Sequence, residues 1–129
     1  MNGIKLRGLG RCVPAQSVTN DDLAKTVDTS DAWITARTGI RSRRRCTEET
    51  HTELCVTAAR RALAQAGITP ADIGACIVAT VSADTIVPSA ACMLQRDLGM
   101  PEDTPCFDLN AACTGFIYAL HTMECLLNA

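Results

Sequence analysis

The sequence of 129 residues predicts an α/β fold organised on a parallel sheet. The run Ala75-Cys76-Ile77-Val78-Ala79-Thr80-Val81 is almost continuously apolar and of strand length, as in a parallel strand covered on both faces. Strand-like and helix-like segments alternate along the chain, and Gly39, Gly67 and Gly99 each follow a helical pattern as a stop signal.

The segment Ile4-Lys5-Leu6-Arg7-Gly8-Leu9-Gly10 alternates apolar and polar residues before Pro14, which predicts a strand leading into a turn. Asn20 then reads as the cap of a short helix from Asp21 to Val27, and Asp28-Thr29-Ser30-Asp31 as the cap of a second helix through Arg37. Arg41 to Arg45 read as an exposed strand or edge. From Thr52 to Ala66, residues Leu54, Ala58, Ala59, Ala62, Leu63 and Ala66 form one helical stripe facing a core. Thr69-Pro70-Ala71-Asp72 is a turn before the apolar strand Ala75 to Val81. Pro88 opens a helix through Leu98, Cys106 to Leu109 form a strand, and the last helix runs from Thr114 to Leu127.

A chain of this length makes one domain with one core. Net charge −2 and an aromatic content of 3% give neither the field nor the stacking surfaces that a nucleic-acid backbone requires. The sequence has no apolar run of membrane-spanning length and its start lacks a signal-peptide core, which predicts a cytoplasmic protein. Of 8 cysteines, none forms a C-x-x-C pair, and with only 2 histidines a metal cluster is not expected. All but Cys113 read as small core hydrophobes or inert surface thiols in a reducing compartment.

Cys113 is different because of where it stands. In Phe107-Asp108-Leu109-Asn110-Ala111-Ala112-Cys113-Thr114-Gly115-Phe116 a strand stops, small residues make a corner and a helix begins. A thiol at the first turn of a helix faces unpaired N–H groups and the positive end of the dipole, which stabilise its thiolate. Ala111, Ala112 and Gly115 leave room for a carbonyl to approach the backbone, as at a nucleophile elbow with sulfur in place of oxygen. Asn110 reads as turn chemistry. His51 reads as a surface residue at a helix start, and His121, two turns beyond Cys113, lies about 12 Å along the helix from the sulfur.

Trp33 and Arg37 fall four apart, on one helix face, where an indole and a guanidinium suit an adenine ring and an anionic phosphate. The same residues also fit a tryptophan packed in the core and an arginine paired with Asp31 or another acid. Arg41, Arg43, Arg44 and Arg45 form the one concentrated basic patch, either a solvated run or an attractor for an anionic partner.

Several ordered blocks share one family pattern: Thr19-Asn20-Asp21-Asp22-Leu23, Asp28-Thr29-Ser30-Asp31-Ala32-Trp33-Ile34, Arg37-Thr38-Gly39-Ile40-Arg41, Ala79-Thr80-Val81-Ser82-Ala83, Pro88-Ser89-Ala90-Ala91-Cys92 and the run around Cys113. Together they resemble the β-ketoacyl-acyl-carrier-protein synthase III family of the thiolase-like superfamily, along the whole chain. The resemblance implies the N-terminal half of a five-layered αβαβα fold, residues 1–129 forming one thiolase-like half-domain with the C-terminal half absent. It implies decarboxylative condensation in fatty-acid chain initiation: an acyl group moves from coenzyme A to Cys113 and is attacked by malonyl-acyl-carrier-protein. No permanently bound cofactor or metal is implied; the coenzyme A thioester is a substrate. By resemblance Trp33 stacks on adenine, Thr29 and Arg37 contact the nucleotide end, and Val87 shapes the acyl pocket across a dimer. A histidine and an asparagine that activate malonyl thioester in the family come from the second half. The chain is therefore expected to associate, as a homodimer or with a C-terminal half. Two other readings share the fold: an acyltransferase with a non-malonyl acceptor, and a non-catalytic interaction remnant.

Overall fold

A computed structural model describes residues 3–128. They form two compact units, Val13–Glu49 and the remainder, comprising residues through Cys12 and from Thr50 onward.

In the smaller unit β1 (Gln16–Thr19) pairs antiparallel with β2 (Ser42–Arg45), Gln16 opposite Arg45 and Thr19 opposite Ser42. The edge expected at Arg41–Arg45 is thus present, but β1 has one apolar residue in four and offers no alternation to read. Between the strands lie α1 (Asn20–Ala24) and α2 (Asp31–Thr38). Asn20 is not the cap of α1. Thr19 is, in a capping box with Asp22, while Asn20 is the fully buried side chain of the unit at 1% exposure. Its amide donates to Asp31 Oδ1 and to the Ile40 carbonyl, each at 2.7 Å, and its Oδ1 accepts from the Arg43 guanidinium at 2.7 Å. All these partners are remote in sequence, so the local cap chemistry of Asn loses to a buried polar network. Ser30 caps α2, and Gly39 ends it in the left-handed region at φ 71°.

The larger unit holds α3 (His51–Ala66), β3 (Cys76–Ala79), α4 (Ala90–Leu98), β4 (Cys106–Leu109) and α5 (Gly115–Leu127). β3 and β4 are parallel, with Cys76 opposite Cys106 and Ala79 opposite Leu109. Val56, Cys76, Ala91, Leu94 and Met100 form the core; of the stripe expected on α3 Ala59 packs against it, while the α3 residue buried in it is Val56, which that stripe left out. Coverage of the sheet is less complete than the apolar run predicts: Cys76 is buried, Ile77 and Val78 are half-buried, and Ala79 and Phe107 are exposed.

Two other expectations change here. The segment expected as a strand at Ile4–Gly10 has no ladder partner among the described residues. It lies on α3 instead, where a Cβ on Gly8 would strike the Ala62 carbonyl and one on Gly10 the Ala58 carbonyl. Leu9 N–H donates to Gln65 Oε1, and the Arg61 guanidinium donates to the Arg11 carbonyl at 2.6 Å, so helix side chains take the hydrogen bonds a sheet would have made. Pro88 does not open α4; Ser89 is the N-cap, accepting from Cys92 N–H at 3.2 Å, and the helix starts at Ala90. The Asp108 carboxylate accepts from Ala90 and Ala91 N–H, both at 2.8 Å, which explains a charged residue within an apolar strand.

Apolar side chains remain uncovered on α5 and on the loop before α4. Phe116 and Ile117 are 65% and 62% exposed, Ile86 and Val87 95% and 85%. Among the described residues no helix is long and apolar enough to cross a membrane.

Candidate active site

β4 delivers the chain to Leu109, and Asn110 turns it: the Asn110 Oδ1 accepts from Ala112 N–H at 3.4 Å, the side-chain turn expected of it. Ala112 sits at φ 46°, in the left-handed region where a non-glycine residue costs about 1–3 kcal/mol and occurs chiefly at functional corners. A 3₁₀ turn over Ala112–Thr114, closed by Thr114 Oγ1 donating to the Ala111 carbonyl at 2.8 Å, then feeds α5. Cys113 therefore stands in the turn just before α5, not within its first turn, and it is exposed. It opens on a cavity of about 400 Å³ lined by residues 79–82 from the end of β3 and by Leu109, Ala111 and Ala112. Gly115 has an ordinary helical φ of −53°, and a Cβ there would meet Ala79 Cβ at 3.6 Å.

The β3 wall of that cavity is fixed from behind. Asp84 accepts from His51 N–H at 3.0 Å, from Thr52 N–H at 2.8 Å and from Thr52 Oγ1 at 2.7 Å, tying the loop after β3 to the start of α3. These bonds, the Thr52 hydroxyl foremost, hold its carboxyl below the usual range. His51 is half-buried, not a surface residue: its Nε2 is 3.3 Å from Thr80 Oγ1. Thr80 lies in the block Ala79–Ala83, but its role in the wall has no local signal, because its partner is on α3. His121 is exposed on α5 and keeps company with Glu124, 3.8 Å from its Nδ1.

The remaining cysteines divide by burial. Burial pushes the Cys76 thiol up to about 12 and raises those of Cys55 and Cys106, so these three behave as core hydrophobes. All eight are free thiols.

In the smaller unit, Thr29 and Trp33 line a hollow of about 380 Å³ together with Asp28 and Ser30. Trp33 is 53% exposed, and the Arg37 guanidinium stacks on its ring with 4.3 Å to the centroid. The alternative of a core tryptophan and an Arg37–Asp31 pair is not what the side chains do: Asp31 is taken by Asn20 and Thr35. Part of the basic patch is committed internally. Arg43 donates to the Val18 carbonyl and to Asn20, and Arg44 to the Ala15 carbonyl at 2.8 Å, binding β2 to its own unit. Val87 is not brought to the Cys113 cavity; it stands on the exposed loop.

The fold is that of thiolase-like condensing enzymes. The chain superposes on 3-oxoacyl-[acyl-carrier-protein] synthase III of Aquifex aeolicus with a TM-score of 0.94 and 43% identity, over 98% of this chain and 41% of that one. It superposes on the priming β-ketosynthase of a polyketide biosynthetic pathway with a TM-score of 0.87 and 37% identity, over 93% of this chain and 36% of that one. In sequence it is 49% identical to β-ketoacyl-[acyl-carrier-protein] synthase III of Clostridium acetobutylicum over 122 residues, 95% of this chain and 37% of the relative. No family model matches. Over nearly its whole length the chain is similar to β-ketoacyl-[acyl-carrier-protein] synthase III enzymes, matching the N-terminal portion of each. It spans about two fifths of the length of the relatives it matches.

Proposed function

We propose that this chain is the nucleophile-bearing part of a 3-oxoacyl-[acyl-carrier-protein] synthase III, in which Cys113 accepts an acyl group from coenzyme A. The exposed thiol in the strained turn between β4 and α5, opening on its own cavity, is the observation that carries the reading. The Cys113 thiolate attacks the thioester carbonyl, the tetrahedral oxyanion collapses, and coenzyme A leaves as a thiol, taking up a proton. Malonyl-acyl-carrier-protein would then lose CO₂ and attack the acyl-enzyme in fatty-acid chain initiation. Neither histidine of this chain is bonded to Cys113: His51 meets Thr80 and His121 meets Glu124. Condensation therefore requires groups from a C-terminal half, and residues 1–129 act as one half-domain of the whole.

Thr29, Trp33 and Arg37 are read as the seat of the coenzyme's nucleotide end. An exposed indole carrying a stacked guanidinium, beside a hollow that Thr29 lines, supports this. The exposed Val87 is read as part of the acyl pocket of a dimer partner, and uncovered Phe116 and Ile117 fit association as a homodimer or with a C-terminal half. The protein is read as cytoplasmic, with acyl-coenzyme A and acyl carrier protein as partners.

Intact-mass measurement after incubation with acetyl-coenzyme A tests the reading. The wild-type chain is expected to gain one acetyl group, mapped to Cys113, and Cys113→Ala to gain none. Trp33→Ala should need about tenfold more acetyl-coenzyme A for the same rate, the loss of one well-placed stacking contact being worth about 1–3 kcal/mol. A wild-type chain that stays unmodified, with Cys113 reduced, sinks the reading. With malonyl-acyl-carrier-protein added, the chain alone should release no β-ketoacyl product.

A further inference from the structure

The wall of the Cys113 cavity has a histidine behind it. Thr80 lines the cavity, and its hydroxyl lies 3.3 Å from Nε2 of His51, the first residue of α3. The same hydroxyl oxygen accepts from Ser82 N–H at 3.2 Å, which occupies one of its lone pairs. A threonine hydroxyl has a single proton to give, and whether Nε2 carries a hydrogen, through tautomer or protonation, decides where it goes. A bare Nε2 accepts that proton and turns it away from the cavity. An Nε2–H donates instead to Thr80 Oγ1, and the Thr80 proton is released toward the cavity.

We propose that His51 is a positioning residue which, when its Nε2 carries a proton, turns Thr80 into a hydrogen-bond donor for a thioester carbonyl held at Cys113. The inference rests on the reading of Cys113 as acyl acceptor. Its geometry is held independently of any substrate. Asp84 fixes the backbone at His51 and Thr52 and the Thr52 hydroxyl, which sets where the His51 side chain starts. The titratable groups placed against His51 are Asp84 on the loop after β3, which accepts from its N–H, and Cys55, whose Sγ is 3.8 Å from the ring, while Glu53 of the same helix is held in the capping box at Thr50. Asp108 on β4 acts on Cys55 by its charge. Burial raises the Cys55 thiol above its ordinary range, and a histidine is the type of side chain that ordinarily changes charge between about pH 5 and 8.

The test compares wild type, His51→Gln and Thr80→Val in two reactions of Cys113 across that pH range. One is acetylation by acetyl-coenzyme A, read by intact mass. The other is alkylation by iodoacetamide, which reports thiolate supply and needs no carbonyl donor. The glutamine of H51Q would hydrogen-bond to Thr80 without titrating, so folding is preserved and the switch is removed. The acetylation ratio of wild type to H51Q should rise as pH falls from about 8 to about 5, by roughly tenfold, below the 10²–10³ that loss of a complete oxyanion donor costs. The alkylation ratio should stay flat, and T80V should acetylate slowly with no further loss when combined with H51Q. A flat acetylation ratio, or an alkylation ratio that moves in parallel, overturns the inference while leaving the Cys113 reading intact. Failure of the wild type to acetylate at any pH overturns the Cys113 reading and this inference with it.

Discussion

Residues 13–49 close around one buried amide, whereas the larger unit closes around the apolar side chains of α3, β3 and α4. In the smaller unit Asn20 gathers Asp31, Ile40 and Arg43, and Glu49 accepts from Ala15 N–H at 2.8 Å and Thr47 N–H at 3.0 Å. In the larger unit Leu94 at 7% and Ala91 at 0% exposure pack with Val56, Cys76 and Met100. Apolar packing is non-directional and tolerates small adjustments, while a polar network works only when each donor meets its acceptor. The contrast matches what each unit presents. The larger unit carries a strained turn at the end of its parallel strand pair, and the smaller unit presents an exposed Trp33–Arg37 pair.

The largest break is expected in the apolar unit. Leu94→Ala should lower stability by about 2–5 kcal/mol, the range for truncating a buried leucine, seen as a lower urea midpoint and faster amide exchange in α3 and α4. A change below about 1 kcal/mol, on the order of a surface substitution, would mean that Leu94 is not central to this core. Asn20→Ala should cost about 1–3 kcal/mol for each buried group left unpaired, with exchange rising in α2 and β2. Asn20→Asp sharpens the comparison, because a nearly isosteric carboxylate keeps Arg43 but cannot donate to Asp31 or Ile40. If N20D were as stable as wild type, volume and not hydrogen bonding would hold the unit.

The smallest effect is pH-linked. Backbone donors at Ala15 and Thr47 hold the Glu49 carboxyl at about 2, below its ordinary 4.5. A folded-state value depressed in this way gives stability that is complete above 4.5 and lost as pH falls through about 2. The melting temperature of wild type should therefore exceed that of Glu49→Gln near neutral pH, and the gap should close across that acid window. A gap that persists at the acid end would assign the effect to the side-chain shape, not its charge.

The candidate site was legible where its signals are local. Asn110, Ala111 and Ala112 before Cys113 specify a corner through turn chemistry and small size, and the structure forms one. Trp33 and Arg37 at helical spacing do share a face and do touch. The roles of Asn20, His51 and Thr80 were not legible, since each is defined by a partner on another element. A buried Asn and a capping Asn look the same in sequence.

The sequence by itself determined the α/β order, the helix ends at Gly39, Gly67 and Gly99, the strand Cys106–Leu109 and the isolation of Cys113 at a corner, because capping, periodicity and turn residues act within a few positions. Tertiary structure decided that Ile4–Gly10 lies on α3 instead of forming a strand, that Asn20 is a buried hub, and that His51 stands behind Thr80. Those outcomes depend on which groups meet across long stretches of chain, where burial and hydrogen-bond satisfaction outweigh local propensity.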